Sequence, residues 1–103
     1  MIDPIRKRVL KGEYRFTIHA LERCAERNIS PEEVVQAIIT GVVIEDYPKD
    51  KYGHSCLICG FTKEGEIRHV QCSVEPVWII TGYDPSINPE EWDEEFMRRK
   101  RKS

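Results

Sequence analysis

The hydrophobic period of the chain changes at Gly41, and this change constrains the fold more than any other feature. Before Gly41, apolar residues recur with helical spacing in three segments, at about 4–11, 18–27 and 31–40. After it come four strand-like segments separated by turn residues, at 42–47, 55–62, 67–73 and 77–83. Helices followed by sequential strands predict an α+β fold, with N-terminal helices packed on a four-stranded antiparallel β-sheet.

The helix boundaries are marked by residues with known capping roles. Asn28 suits the left-handed conformation that ends a helix. Ser30 is a predicted N-cap, Pro31 occupies the first helical position, and Glu33 completes a capping box. Gly41 ends this helix. The boundaries between the predicted helices are therefore the most sharply defined in the chain.

The size of the chain predicts one domain over residues 1–103, with its core at about 5–84. We expect a loop at 48–53 and a C-terminal extension at 85–103 that contains a short helix at 90–99 and ends in a basic tail. Trp92 and Phe96 are four residues apart and are predicted to dock this helix on the domain. Within the third strand, alternation places His69 and Gln71 on one face and Val70 on the other.

Three polar residues share one edge of the second predicted helix. His19, Arg23 and Arg27 are spaced four apart, so they lie along one side of it. We expect the opposite side to face the core, with apolar residues Ile18, Leu21, Cys24 and Ala25. An imidazole beside two guanidiniums has two interpretations: a phosphate-binding site, or a solvated surface on which Arg23 pairs with Glu26.

The cysteines do not form a convincing metal-binding motif. Cys56 and Cys59 imitate a zinc knuckle, but no second ligand pair accompanies them, and on a strand they point to opposite faces. Buried thiols are therefore favoured over a thiolate metal site, and we expect neither a metal nor another cofactor. The chain has no apolar segment of about 20 residues, so we expect a cytoplasmic protein without membrane contact.

The charge is slightly acidic overall but unevenly distributed. The net charge is −2, whereas residues 1–27 carry seven Lys or Arg against four Asp or Glu. A second basic run covers 98–102. Two basic regions on an acidic chain are compatible with a local phosphate-binding surface.

The sequence resembles an uncharacterised bacterial domain family, numbered 4258, from about residue 14 to residue 93. The resemblance is carried by the pattern Phe16-x-x-His19-Ala20-x-x-Arg23-x-x-x-Arg27-x-Ile29-Ser30 and by later matches at Gly41-x-Val43-Ile44-Glu45-Asp46-Tyr47, Ser55-Cys56-Leu57, Gly60-Phe61, His69-Val70 and Ile80-Thr81-x-Tyr83. Asn28 stands where the family usually has glycine, and the net acidity is unlike that of strongly basic toxins.

This family is similar to the RelE/ParE-like toxins, and the resemblance implies a toxin-like component of a type II toxin–antitoxin system. The implied activity is a metal-independent endoribonuclease, and the implied partners are RNA and a small zinc-finger-type antitoxin. A non-catalytic protein- or RNA-binding module of the same fold is the alternative, because fold alone does not determine activity.

Metal-free RNA cleavage needs a proton acceptor, a proton donor and cations near the phosphate. His19 and His69 are the predicted acid–base pair, since histidine titrates near neutral pH, and the start of a helix favours the neutral form of His19. Arg23 and Arg27 are predicted to clamp the phosphate, and Tyr83 to stack on a base or donate a proton. Four further arginines are predicted to bind RNA: Arg15, Arg68, Arg98 and Arg99.

Overall fold

The structure is a computed structural model that describes residues 2–100. Three helices precede most of the sheet: α1 (Ile2–Leu10), α2 (Ile18–Glu26) and α3 (Pro31–Thr40). The strands are β1 (Arg15–Phe16), β2 (Val42–Asp50), β3 (Gly53–Phe61), β4 (Ile67–Ser73) and β5 (Trp78–Tyr83). They form one sheet in the order β1-β5-β4-β3-β2. The predicted α+β class is confirmed.

The sheet has five strands and is mixed, so the prediction of four antiparallel strands was wrong in this respect. β1 pairs in parallel with β5, and the amide groups of Arg15 and Thr17 donate to the carbonyls of Val77 and Ile79. The segment between α1 and α2 thus provides hydrogen-bond donors for backbone carbonyl groups at the edge of β5. The sequence is compatible with a short extended segment before α2, but a strand of two residues is too short to produce a readable alternation, so its pairing with the sheet was not predicted.

The predicted helix caps are present. Ser30 Oγ accepts from the Glu33 amide at 3.2 Å, and Glu33 Oε1 accepts from the Ser30 amide at 2.9 Å. Asn28 has a φ of 59°, as expected for a left-handed helix end, and Gly41 is the C-cap of α3. Local hydrogen-bonding chemistry therefore determines these boundaries.

The core-facing side of α2 was predicted correctly for Cys24 but wrongly for Ile18, Leu21 and Ala25. Ile18 and Leu21 are 76% and 47% exposed, whereas Ala20 and Cys24 are buried against β5. Cys24 packs over Gly82 of β5, where an added Cβ atom would lie in ordinary van der Waals contact, 3.6 Å from Cys24 Sγ. The two residues that α2 buries here have small side chains, and its larger apolar residues face outward.

The β2–β3 connection is tighter than predicted. β2 extends to Asp50, and the turn consists of Lys51 and Tyr52 in place of a loop at 48–53. Pro48 is tolerated inside β2 because this is an edge strand with a register irregularity between Tyr47 and Asp50. Gly53 begins β3 with a φ of 81°.

Different segments of the chain pack on the two faces of the sheet. On one face the helices bury alternate strand residues, including Ile58, Val70 and Ile79. A Cβ atom at Gly60 would lie 1.8 Å from the Ala37 carbonyl oxygen, so the α3 backbone rests directly on β3. The opposite face carries His69 and the residues that alternate with it, as predicted.

Residues 85–100 cross the opposite face and are called the C-terminal strap here. The prediction of a helix at 90–99 was wrong: the strap has 3₁₀ turns at Pro85–Ile87 and Pro89–Glu91, followed by an isolated bridge between Trp92 and Arg99. Phe96 has a φ of 59°, which interrupts helical geometry. Trp92 is 1% exposed, so it docks this segment on the domain as predicted. None of the described helices is both long and apolar enough to cross a lipid bilayer.

Candidate functional site

The polar edge of α2 lies where β5 loses its parallel neighbour. β1 ends at Phe16, which is paired with Ile79. Further along β5, the side chain of Arg27 contacts the strand instead. Arg27 Nη1 donates to the Gly82 carbonyl at 2.9 Å and to Thr81 Oγ1 at 3.3 Å. These bonds anchor an exposed guanidinium at the edge of the sheet.

A cleft of about 270 Å³ separates α2 from the tip of the β2–β3 hairpin. Its walls combine the predicted α2 edge with residues of β4, β5 and the hairpin: His19, Arg23, Arg27, Asp50, Lys51, Tyr52, Gln71, Ile80 and Thr81. The imidazole and both guanidiniums of the sequence-derived edge therefore meet in one cleft. These three side chains face polar residues of the hairpin and of β4, namely Asp50, Lys51, Tyr52 and Gln71.

A hydrogen-bonded cluster fixes the floor of this cleft. Asp50 Oδ2 accepts from Ser55 Oγ at 2.8 Å and from Gln71 Nε2 at 3.2 Å. Gln71 Nε2 also lies 3.3 Å from Ser55 Oγ, and Ser55 is fully buried. The cluster ties the end of β2 to β3 and β4, so the hairpin tip is held in place.

Arg23 is compatible with both interpretations of the α2 edge, the phosphate-binding site and the solvated surface. It lines the cleft, and its Nη1 forms an ion pair with Glu26 Oε2 at 2.9 Å. Because both side chains are substantially exposed, this pair contributes little to stability and is easily exchanged for another anion.

His69 and Tyr83 are not in the cleft. His69 is fully buried beneath the strap, with its ring centroid 4.4 Å from that of Trp92. Its Nε2 donates to the Phe96 carbonyl at 2.7 Å, and its Nδ1 accepts from the Tyr83 hydroxyl at 3.2 Å. Burial raises the pKa of Tyr83 to about 12. The predicted catalytic set is therefore divided, and the two parts adjoin where Arg27 Cζ lies 6.0 Å from the Tyr83 ring.

The buried imidazole makes stability depend on pH. Burial lowers the pKa of His69 in the folded protein, although its hydrogen bond to Phe96 acts in the other direction. Below the ordinary histidine pKa of about 6.5, the unfolded chain binds a proton that the folded protein resists, so stability falls as pH decreases. We expect denaturant unfolding at pH 5.5 to show a lower free energy of unfolding than at pH 7.5.

His69→Gln is expected to flatten this difference between pH 7.5 and pH 5.5. His54→Gln is the matched control, because His54 is exposed and pairs with Asp46. An unchanged pH dependence in His69→Gln would show that another group is responsible.

None of the four arginines predicted to bind RNA lines the cleft. Arg68 is 7% exposed, and its guanidinium meets Glu33 at 3.0 Å, Glu66 at 3.3 Å and Asp84 at 3.6 Å. This arrangement gives Arg68 a structural role, joining the capping box of α3 to the sheet.

The other three arginines are surface residues. Arg15 is exposed on β1 beside a different groove, and Arg98 is exposed in the strap. Arg99 pairs with Glu45 at 2.8 Å and lies over the Trp92 ring at 4.6 Å. The end of the basic run, residues 101–102, lies outside the described residues.

Sequence reasoning missed the hairpin side of the cleft. Asp50, Lys51 and Tyr52 fell within a predicted loop, and nothing local connected them to α2. The useful signal was the alternation in β4, which placed Gln71 on the open face. Ser55 does not line the cleft, but its hydroxyl donates to Asp50 and so fixes the position of a residue that does. His54, the other residue at the start of β3, does not line the cleft either.

The cysteine geometry follows the predicted alternation. Cys56 faces the helices opposite Cys72, whereas Cys59 lies opposite His69 on the other face, and all four thiols are buried. Within residues 2–100, no group of three or more His, Cys, Asp or Glu side chains has the geometry to hold a metal ion.

A larger groove of about 730 Å³ lies at the start of α3. Its charged lining is mainly acidic, with Glu32, Glu33, Glu64 and Glu66 against Lys63. This lining repels phosphate, so the smaller cleft at α2 is the better candidate for an anionic ligand.

Comparison with known proteins gives one match. Residues 16–84 match the family described as a domain of unknown function, DUF4258. No curated protein and no solved structure matches the chain. The matched region includes α2, α3, strands β2 to β5 and every residue of the cleft, and it covers more than half of the chain. The protein therefore belongs to the DUF4258 family.

Proposed function

We propose that this protein is a toxin-like, metal-independent endoribonuclease that binds a phosphodiester in the cleft between α2 and the β2–β3 hairpin. The observation that carries the proposal is that an exposed imidazole, His19, lines the same cleft as the guanidiniums of Arg23 and Arg27. Guanidiniums bind phosphate oxygens through paired hydrogen bonds, and a neutral imidazole accepts a proton at neutral pH.

In the proposed reaction, His19 removes the proton from a ribose 2′-hydroxyl. The resulting oxygen attacks the adjacent phosphorus, the bond to the 5′-oxygen breaks, and a 2′,3′-cyclic phosphate forms. Arg23 and Arg27 stabilise the negative charge on the phosphate oxygens. Lys51 and Tyr52 are the cleft groups that have a proton to give to the leaving oxygen, since His69 is enclosed beneath the strap.

The second candidate function is RNA or protein binding without catalysis. It is favoured by the burial of His69, because the two imidazoles predicted to act as an acid–base pair are not in one site. In either case the resemblance to toxin families implies a further partner, a small zinc-finger-type antitoxin. We also propose a cytoplasmic location, as expected from the lack of a long apolar segment in the sequence.

One assay separates the two candidates. Purified protein is incubated with end-labelled single-stranded RNA in the presence of EDTA, and both binding and product ends are measured. We expect cyclic-phosphate ends, together with affinity that falls about tenfold from 50 to 200 mM salt if two to three phosphates are neutralised. Salt-sensitive binding without cleavage would favour the second candidate, whereas absence of RNA binding would contradict the nuclease.

A further inference from the structure

We propose that the cleft selects a guanine base next to the bound phosphate, with Tyr52 as the stacking surface and with Asp50 and Gln71 as the groups that read the base edge. This inference rests on the proposed function and names the nucleotide that the same site takes. It gives a role to Asp50 and Gln71, which line the cleft but take no part in the proposed reaction, and it adds a stacking role to Tyr52.

The floor of the cleft offers hydrogen-bond acceptors in particular. Asp50 Oδ2 accepts from Ser55 and Gln71, while Gln71 Nε2 donates to Asp50 and Ser55. Among residues 2–100, neither the second oxygen of Asp50 nor the amide oxygen of Gln71 has a hydrogen-bond donor. Two acceptors without a competing free donor therefore remain on these side chains.

Guanine is the base that matches this pattern. Its Watson–Crick edge presents two adjacent donors, the N1–H and the 2-amino group. Adenine and cytosine present one amino group beside an acceptor, and uracil presents one N–H between two acceptors. These bases would place an acceptor against a carboxylate or amide oxygen, which leaves a desolvated polar group unpaired.

The hairpin tip supplies an aromatic surface. Tyr52 is 41% exposed, and Lys51 Nζ lies 5.1 Å from the centroid of its ring. The ammonium occupies one face of the ring. In the proposal the base stacks on the other face, since aromatic stacking is a general means of binding single-stranded RNA. Arg23, Arg27 and His19 form the facing wall, so base and phosphate contact opposite sides of the cleft.

The site is also pre-organised for such a ligand. The buried Ser55 hydroxyl holds Asp50, and through it the end of β2, before any ligand enters. Fixed acceptors avoid the ordering cost that mobile side chains would add to binding.

The test compares labelled 2′-O-methyl hexaadenylate with the same oligonucleotide carrying one central guanine, because the blocked 2′-hydroxyl prevents cleavage during the measurement. Fluorescence anisotropy with the full chain is expected to show about tenfold tighter binding of the guanine-containing RNA. Replacing that guanine with hypoxanthine, which lacks the 2-amino group, should remove most of the preference.

Tyr52→Ala is expected to weaken binding of the guanine-containing RNA about tenfold through loss of stacking. Phe61→Ala is the matched control, because Phe61 is 47% exposed but lies outside the cleft, and it should bind as the wild type does. Asp50→Asn should reduce the guanine preference while retaining a side chain that can accept from Ser55.

The outcomes separate this inference from the proposed function. Equal, salt-sensitive binding of both oligonucleotides would overturn guanine selection but leave phosphate binding intact. Equal losses in Tyr52→Ala and Phe61→Ala would also overturn it. No binding of either RNA would contradict the proposed function, and guanine selection with it.

Discussion

Replacing His19 with alanine is expected to lower the rate of RNA cleavage by about 10²- to 10⁴-fold, the usual contribution of one general base. His19 is exposed on α2 and lines the cleft, whereas the other two histidines lie elsewhere. No other imidazole can therefore replace it. Because its side chain is solvent-exposed, the variant should unfold at the same denaturant concentration as the wild type.

The measurement is single-turnover cleavage of a labelled RNA, with affinity determined in parallel. His54→Ala is the control, since it removes an exposed imidazole outside the cleft. His19→Ala should keep most of its RNA affinity, because Arg23 and Arg27 remain. If His19→Ala cleaves at the wild-type rate, this imidazole is not the base and the proposed mechanism is wrong.

Replacing Trp92 with alanine is expected to lower the free energy of unfolding by about 3–5 kcal/mol, the range for a buried aromatic residue. Trp92 is 1% exposed, packs edge-on against His69 and lies beneath the Arg99 guanidinium. Its removal leaves a cavity and weakens the cover over His69. The pKa of His69 should then move back towards its ordinary value, since burial is what lowers it.

Urea unfolding at pH 7.5 measures the stability loss, and an NMR titration follows the imidazole of His69. Trp78→Ala is the matched control: Trp78 is 37% exposed on β5 and should lose less than half as much stability. Equal stability losses in the two variants would show that the strap contributes no more to the fold than an exposed strand residue does.

Much of the local structure could be predicted because its causes are local. The capping box of Ser30 and Glu33 and the left-handed Asn28 involve groups at most three residues apart, and they form whenever the adjoining helices form. The β4 alternation likewise follows from strand geometry alone. The α2 edge was visible for the same reason, since helical spacing puts His19, Arg23 and Arg27 on one side.

The errors concern elements whose conformation depends on distant partners. α2 is rotated relative to the prediction: it packs on β5 through Ala20 and Cys24, and the large Ile18 and Leu21 face outward. The strap is irregular because Trp92 must reach the open face of the sheet, a requirement that outweighs the helical spacing of Trp92 and Phe96. Helical periodicity cannot reveal such constraints.

By itself, the sequence determined the fold class, the helix ends, the order of the main strands and the shared edge of His19, Arg23 and Arg27. Only the tertiary structure decided that Asp50, Tyr52 and Gln71 complete a cleft with this edge, while His69 is sealed beneath the strap. The physical reason is the distance along the chain between the interacting residues. Caps and periodicity arise from neighbouring residues, whereas burial and cleft formation depend on which segments, far apart in the chain, pack together.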